Sequence, residues 1–256
     1  MRREIGLLVV GVTGLWLGWA LPADATHTSK HGCSTDSVRS GNLCMDKYEA
    51  SIWQTANTSV IKKIRNGKVS LADLTAAGAT QLGLASGDLA AAGCPNTGNG
   101  CIDVYAVSIP GVTPSQFATW LQAAAAARNS YKRLPTNAEW QAAALGTPDG
   151  TPCIVSAGGP GPMGTPGCVS NVGTFDMVGN VAEWVADWVP LSTTCVPSLL
   201  GSFDSNCLAG ASTTTGPGAL IRGGRWDDLS DAGVFSVFGD VTPANAFLGV
   251  GFRAAR

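Results

Sequence analysis

The sequence predicts an α+β domain with few helices, short strands and long ordered loops. Only two segments carry clear helix-start signals, and both lie between residues 113 and 146. The chain after Gly146 is rich in Gly, Pro, Ser and Thr, and its apolar segments are short, as in strands joined by loops. The 33 Gly and 14 Pro of the 256 residues exceed the average share but stay below that of a disordered chain.

The first predicted helix begins at Thr113 and extends to about Asn129. Thr113 is the expected N-cap, Pro114 takes the first helical position, and Gln116 completes a capping box. Apolar residues then recur at helical spacing: Phe117, Trp120, Leu121 and Ala124. This pattern predicts a helix with one buried face.

The second predicted helix follows directly after Pro135. The Thr136 hydroxyl and the Glu139 carboxylate can satisfy backbone amides of the first turn, and Gly146 ends the helix. The residues expected to face inward are Trp140, Ala143 and Ala144.

Residues 54–106 differ from the rest of the chain, and we interpret them as an insertion. They contain a short helix expected to open at Ser70 and Asp73. They also contain a basic cluster, Lys62, Lys63, Arg65 and Lys68. A solvated surface explains this cluster more simply than a binding patch does.

Four segments of the C-terminal half are strand candidates: residues 183–188, 219–222, 232–237 and 249–255. In the first of them side chains should alternate between the two faces of the sheet. One face should carry Trp184, Ala186 and Trp188, and the other Glu183, Val185 and Asp187.

The N-terminal residues 1–25 have the pattern of a secretory signal. Arg2 and Arg3 precede an apolar run over residues 5–21, and Ala23-Asp24-Ala25 supplies small residues for cleavage. An uncleaved membrane anchor is the alternative, but the run is at the short limit for spanning a bilayer. Cleavage would leave a tail over residues 26–43 and an exported protein, whether secreted, periplasmic or at the cell surface.

All eight cysteines follow the signal segment, and an even number in an exported chain favours disulfides. Neighbours in sequence flank Gly-, Pro-, Asn- or Ser-rich loops, so we expect sequential pairing, although eight cysteines allow 105 connectivities. The expected pairs are Cys33 with Cys44, Cys94 with Cys101, Cys153 with Cys168, and Cys195 with Cys207. Zinc is a weak alternative because there is no C-x-x-C and the histidines, His27 and His31, both lie in the tail.

Composition excludes several function classes. The net charge of −2 and the 13% of charged residues leave no basic excess for nucleic acid. Because the body of the chain has no histidine, Ser-His-Asp and Cys-His catalysis lack their central residue. Residues 159–164 (GPGPMG) match a dinucleotide fingerprint, but their prolines oppose the strand and helix that it requires.

Four short blocks in order, the last of them in two parts, resemble the formylglycine-generating enzyme family, also called the sulfatase-modifying factor domain. They are residues 46–51 (DKYEAS), 133–140 (RLPTNAEW), 176–184 (DMVGNVAEW), 222–226 (RGGRW) and 251–253 (GFR). The resemblance covers residues 44–256. It implies a C-type lectin-like fold with a twisted antiparallel sheet, two helices and long disulfide-tied loops.

The same resemblance argues against enzyme activity. Where the family holds copper with two cysteines, this chain has Asp228 and Gly233, and neither supplies the thiolate that Cu(I) requires. The iron-dependent branch of the family needs a histidine triad that the chain lacks. We therefore expect a non-enzymatic member without copper. A formylglycine-generating-type copper oxidase with displaced ligands is the alternative.

The C-terminal residues 222–256 also resemble the variable proteins of diversity-generating retroelements. The similarity rests on residues 232–235 (AGVF), 242–244 (TPA) and 249–253 (GVGFR). It implies an unchanged frame carrying a diversified ligand-binding face. The expected frame residues are Gly223, Gly224, Gly233, Val234, Phe235, Val237, Val250, Gly251 and Phe252. The expected ligand-binding residues are Arg225, Trp226, Asp227, Asp228, Asp231, Phe238, Asp240, Val241, Asn245, Phe247 and Leu248.

Two alternatives apply to this face. Phe238, Phe247 and Leu248 are equally compatible with an ordinary core. Residues 226–228 (WDD) also resemble the W-N-D of calcium-dependent sugar-binding lectins, which would make the ligand a carbohydrate. The partner that the resemblance favours is a protein on a host or neighbouring cell surface.

The resemblance further implies a structural calcium ion in residues 176–183. Its ligands would be the carboxylates of Asp176 and Glu183 and the carbonyl oxygens of Gly179 and Val181. Hard oxygen ligands of this kind suit calcium, although four fall short of its usual six to eight. The alternative is that Glu183 belongs to a buried polar network beside Trp184 and Trp188.

Overall fold

The structure is a computed structural model and describes residues 32–196, 203–212 and 214–256. The predicted signal segment, residues 1–25, lies outside this part, as do His27 and His31. Residues 32–256 form one compact unit. In the described ranges, no helix is long and apolar enough to cross a membrane.

The described part contains five α-helices, three more than the resemblance implied. They are α1 Thr58–Arg65, α2 Leu71–Ala76, α3 Asp88–Ala91, α4 Trp120–Asn129 and α5 Asn137–Ala144. The additional helices all lie within residues 54–106. α2 begins as predicted, because Ser70 and Asp73 form a complete capping box. α5 begins as predicted at Thr136 and Glu139.

The helix α4 starts later than the sequence pattern predicted. Its capping box is formed by Thr119 and Gln122, not by Thr113 and Gln116. The prediction was therefore correct about the end of the helix, Asn129, and wrong about its beginning.

Residues 115–117 are held out of a helix by contacts with distant parts of the chain. The Ser115 hydroxyl donates to the Leu82 carbonyl at 2.5 Å, and Gln116 Oε1 accepts from Gly249 N at 2.8 Å. Phe117 has a φ of +51°, which is incompatible with a right-handed helix. These long-range bonds outweigh the local helix signal.

Within the described residues, the strands form a hairpin, a three-stranded sheet and a six-stranded sheet. The hairpin pairs β1 Ser37–Ser40 with β2 Leu43–Asp46, and the three-stranded sheet has the order β4-β3-β5, with β3 Ser51–Gln54, β4 Thr80–Leu82 and β5 Val104–Val107. The six-stranded sheet has the order β11-β6-β9-β10-β8-β7. Its strands are β6 Ala182–Pro190, β7 Thr194–Val196, β8 Asn206–Ala209, β9 Pro217–Gly223, β10 Gly233–Phe238 and β11 Val250–Phe252.

These elements confirm the α+β class, with one correction to the sheet. Two strand pairs of the large sheet are parallel, β10 with β8 and β11 with β6, so the sheet is mixed and not purely antiparallel. Long connections between these strands permit parallel pairing, which a short hairpin turn would not. β3 and β5 are antiparallel neighbours, so the chain enters and leaves residues 54–106 at adjacent positions.

The predicted alternation along β6 separates the two faces of the large sheet. Trp184 and Ala186 belong to the same apolar cluster as the buried alanines of α4. Val185 belongs to a second cluster with Trp140 and Ala143 of α5. The helices α4 and α5 therefore cover different sides of β6.

All four sequential disulfides are confirmed, and the described residues contain no free cysteine. The Cys153–Cys168 bond closes the loop that contains residues 159–164. This loop has neither the strand nor the helix that a dinucleotide site needs.

The C-terminus is part of the frame. Arg256 exchanges two backbone hydrogen bonds with Cys44, and Ala255 exchanges two with Arg133. The Arg256 guanidinium also bonds Asp36 at 3.1 Å. The predicted variable residues thus lie between two fixed ends, β9 and the C-terminal residues.

Candidate ligand-binding site

The turn that follows β9 is anchored by Trp226. Its backbone N–H donates to the Asn180 carbonyl at 3.1 Å, and its carbonyl accepts from Ala157 N at 2.7 Å. The indole is only 4% exposed. This position corrects the prediction that Trp226 contacts a ligand, because its side chain is part of the frame.

Gly249 lies against this turn and leaves no room for a side chain. Its φ is +87°, and a Cβ added there would be 2.6 Å from Arg225 Cδ and 3.1 Å from the Trp226 ring. A glycine is therefore required where the last loop meets the turn.

A charged cluster covers the buried indole. Arg225 Nε lies 2.7 Å from Asp227 Oδ1 and 3.4 Å from Asp228 Oδ1, and Arg225 N donates to Asp228 Oδ2 at 2.9 Å. Partial burial raises the pKa of Asp228, and the bonds from Arg225 oppose that rise only in part. The cluster carries one cation and two carboxylates, all partly exposed.

The loop of residues 242–249 passes beside this cluster. Arg225 Nη1 donates to the Leu248 carbonyl at 3.3 Å, Phe117 N donates to the Phe247 carbonyl, and Trp120 N donates to the Pro243 carbonyl. All these bonds use the backbone of the loop. The side chains of Phe247 and Leu248 remain 38% and 51% exposed, and Asn245 is exposed as well.

The remaining predicted ligand-binding residues lie elsewhere. Phe238 and Val241 are half-buried against the main core, which supports the core alternative for Phe238. Asp240 is exposed near the Cys195–Cys207 disulfide. Because β9 and β10 are antiparallel, residues 225–231 and residues 238–241 lie at opposite ends of this pair.

The core alternative fails for Phe247 and Leu248, since both are exposed. Asp231 is exposed at the end of a 3-10 turn, Leu229–Asp231, whose backbone bonds Asp228. The structure therefore brings together Arg225, Asp227, Asp228 and the loop of residues 245–248. We call this set the Arg225 face.

Sequence reasoning missed Leu229. It is 58% exposed and has a φ of +53°, a conformation that costs a branched or bulky residue about 1–2 kcal/mol. It lines a cavity of about 380 Å³ together with Val155 and Phe203. No local pattern marks a leucine for this conformation, so the sequence offered no signal.

The two carboxylates among the predicted calcium ligands, Glu183 and Asp176, accept hydrogen bonds from protein donors. Glu183 accepts from Arg253 Nε at 2.8 Å, from Arg253 Nη2 at 2.6 Å and from Trp140 Nε1 at 2.6 Å. Asp176 accepts from the backbone N–H groups of Gly164 at 2.6 Å and Thr165 at 3.2 Å. Arg253 places a positive charge beside Glu183, so a calcium ion would have to displace this ion pair, and the calcium site stays a prediction.

This geometry favours the alternative of a buried polar network, although its members differ from those expected. Glu183 contacts Arg253 and Trp140, and not Trp188, which is 46% exposed. Glu49 is a further fully buried carboxylate and accepts from Asn180 Nδ2 at 2.6 Å. Burial raises the pKa of Glu49 well above its usual range, and the negative charges of Asp176 and Glu183 raise it further.

The described residues contain one group with metal-ligand spacing, Cys195, Cys207 and Asp240. The two cysteines are bonded to each other, so they offer no thiolate. Asp228 and Gly233, at the positions of the family's copper cysteines, lie in the Arg225 face and in β10.

Residues 157–256 match the family of sulfatase-modifying factor enzyme 1-like domains. This match agrees with the family resemblance over residues 157–256, which are less than half of the chain. A comparison with curated proteins gave no match.

Several solved structures are similar. The Major Tropism Determinant M1 variant shares 18% identity with a TM-score of 0.49, and the P3c variant shares 19% with a TM-score of 0.47. Each alignment covers 86% of this chain and 52% of the other, so the chain spans about half the length of these proteins. Treponema denticola variable protein 1 shares 27% identity with a TM-score of 0.32, over 48% of this chain and 47% of that one.

Proposed function

We propose that this chain is a non-enzymatic, exported binding protein whose ligand contacts the Arg225 face. One observation carries the proposal: the loop of residues 242–249 is fixed to the frame through its backbone, while its side chains at Asn245, Phe247 and Leu248 are exposed. Such side chains can change without loss of the bonds that hold the loop.

The chemistry of this face suits a protein ligand. An exposed phenylalanine and an arginine are residue types that are enriched in protein interfaces. Carbohydrate binding in the lectin manner receives less support. Both Asp228 oxygens are engaged by Arg225, so they are poorly placed to coordinate a calcium ion. We propose a protein on a host or neighbouring cell surface as the ligand.

A diversified site on an unchanged frame explains the division within residues 222–256. Arg222, Trp226, Phe252 and Arg253 are all at most 4% exposed and hold the frame. Asp227, Asn245, Phe247 and Leu248 are exposed and share no chemical type. This division is the one expected if the 3′ end of the gene is rewritten by a retroelement.

The cysteines support both the non-enzymatic assignment and export. Copper chemistry needs thiolates, whereas all cysteines in the part of the chain covered by the structure are paired. Four disulfides also favour an oxidising compartment.

A library experiment tests the binding role. We would randomise Asp227, Asn245, Phe247 and Leu248, display the variants and select binders to hen egg-white lysozyme. A control library would randomise four exposed residues of the 54–106 region: Lys62, Lys63, Lys68 and Leu71. The proposal expects folded, disulfide-bonded binders from the first library at a frequency well above the control. Equal frequencies, or loss of folding in most members of the first library, would contradict it.

Two further observations separate the alternatives. Incubation with copper, oxygen and a cysteine-containing peptide should give no formylglycine, and turnover would establish the oxidase instead. The DNA beside the gene should encode a reverse transcriptase and a near-copy of the final codons that differs where the copy has adenine. If both are absent, the retroelement origin fails, while the library result still decides the binding role.

A further inference from the structure

The two most buried arginines of the described residues, Arg253 just after β11 and Arg222 in β9, differ in their partners. Arg253 in the last segment is paired with Glu183 at 2.6 Å. Arg222 in β9 is 3% exposed, yet no carboxylate of the described residues lies within salt-bridge distance of it. Buried charges are normally paired, so Arg222 is the exception to explain.

Neutral acceptors surround the Arg222 guanidinium. Nη1 donates to Asn137 Oδ1 at 2.5 Å, Nη2 donates to Gln141 Oε1 at 2.5 Å and to the Val234 carbonyl at 2.8 Å, and Nε donates to the Ser236 carbonyl. Trp140 lies under the guanidinium, 4.5 Å from its carbon to the ring centre. These contacts fix the group without placing a carboxylate of the described residues in direct contact with it.

Arg222 lines a cavity of about 390 Å³ that lies between α5 and the strands β8 and β10 of the large sheet. The apolar wall is formed by Val196, Leu208, Phe235 and Val237, and the polar side by Asn137, Gln141, Asn206 and Arg222. A mostly apolar cavity with a few convergent polar groups is the usual form of a small-molecule site.

The polar side of this cavity presents donors. Since Asn137 and Gln141 direct their amide oxygens to Arg222, their NH₂ groups are left for another partner. Asn206 directs its NH₂ to the Asp204 carbonyl at 3.1 Å and so contributes one acceptor. A cation and two amide donors beside an apolar wall are complementary to a carboxylate with a hydrophobic body.

We propose that this cavity binds a monocarboxylate with an aromatic or branched aliphatic body, whose carboxylate lies against Asn137, Gln141 and Arg222. Burial lowers the pKa of Arg222 to about 10, with Asp204 and Glu183 opposing the shift only at a distance. This direction is expected for a cation that lacks a bound counter-ion. None of the lining residues belongs to the Arg225 face, so the proposal does not depend on the proposed function.

Calorimetric titration with phenylacetate and phenylacetamide tests the site. The wild-type protein should bind phenylacetate at least about tenfold more tightly than the neutral amide. The carboxylate could belong to a small acid or to the carboxyl terminus of a peptide. The peptide Ala-Ala-Phe, with a free or an amidated carboxyl end, distinguishes these two sources. Tighter binding of the free peptide than of phenylacetate assigns a peptide carboxyl terminus, and the reverse assigns a small acid.

The decisive variant is Gln141→Glu, because Arg222 itself supports the frame. The glutamate keeps the bond to Arg222 Nη2 and supplies the missing negative charge within the protein. Binding of phenylacetate should fall at least about tenfold, with melting temperature unchanged or raised. Leu84→Glu adds the same charge at an exposed leucine outside the cavity and should bind phenylacetate as the wild type does. Equal affinity for acid and amide, or unchanged binding in Gln141→Glu, would overturn the proposal.

Discussion

Arg253 donates to both carboxylate oxygens of Glu183, with nitrogen–oxygen distances from 2.6 to 2.9 Å, and both side chains are at most 1% exposed. The same guanidinium donates to the Phe175 carbonyl at 2.8 Å. This ion pair ties the last strand segment to β6 and to the loop of residues 175–181. The guanidinium of Arg253 therefore supplies the positive charge that balances Glu183 beside this loop.

Calcium chelation decides between the ion predicted from sequence and this ion pair. Because Arg253 compensates Glu183, the melting temperature should be the same in EDTA and in calcium. Glu183→Gln should lose about 3–5 kcal/mol of stability in both buffers, since it leaves Arg253 buried and uncompensated. Thermal unfolding followed by circular dichroism measures both effects. A drop of several degrees in EDTA for the wild type alone would restore the calcium site.

The titration of Asp46 should contribute to the pH dependence of the free energy of unfolding. This carboxyl is fully buried beside Lys132, and desolvation raises its pKa to about 6 in spite of the lysine at 2.7 Å. Because this pKa is raised on folding, the contribution of Asp46 to the free energy of unfolding is fully present below about pH 4 and is lost as the pH rises towards 6.

The Asp46→Asn variant isolates this contribution. The stability of the wild type minus that of the variant should fall by an amount on the order of 3 kcal/mol between pH 4 and pH 6. Asp36 behaves in the opposite sense: Lys132 and Arg256 outweigh its desolvation and lower its pKa to about 2. Its contribution is present above about pH 4 and is lost below that. Urea unfolding at a series of pH values measures these differences, and a flat difference for Asp46→Asn would contradict the assignment.

Gly249→Ala should destabilise the protein more than an ordinary positive-φ glycine substitution does. The new Cβ would meet Arg225 Cδ at 2.6 Å and the Trp226 ring at 3.1 Å, in addition to the strain at a φ of +87°. Gly111→Ala is the matched control, with a φ of +78° and no atom within 4 Å. We expect about 1–2 kcal/mol for the control and a larger loss for Gly249→Ala. Equal losses in denaturant unfolding would mean that the loop moves freely away from Arg225.

Leu229→Gly should raise stability. Glycine adopts the φ of +53° without the strain of a bulky side chain, and the leucine loses little burial because it is 58% exposed. The gain should be about 1 kcal/mol. Leu84→Gly, at a similarly exposed leucine without a positive φ, should instead lose stability. A loss in Leu229→Gly equal to that of the control would show that its side chain supports the fold.

Sequence patterns were sufficient wherever the deciding contact is local. The capping boxes of α2 and α5 join residues three apart, and the alternation along β6 follows from strand geometry alone. Sequential disulfides close loops of 7 to 15 residues, for which nearness in sequence ensures nearness in space.

The candidate site was predicted less completely, because burial depends on the partner that each residue meets. Trp226 and Phe247 are both aromatic residues in loops of the same region, yet the first is buried and the second exposed. The antiparallel pairing of β9 and β10 divides the predicted ligand-binding residues between two ends of the sheet. Residue type and spacing could not reveal that division.

The sequence by itself determined the α+β class and the lack of histidine in the body of the chain, and it favoured sequential disulfides, because these follow from composition and short-range order. Only the tertiary structure decided where α4 begins, since Ser115 and Gln116 are bonded to Leu82 and Gly249. It likewise decided that Arg253 balances Glu183, whereas Arg222 lies beside a cavity without a counter-ion. Each of these outcomes depends on contacts between residues far apart in the chain, whose free energies exceed the local preferences that a sequence displays.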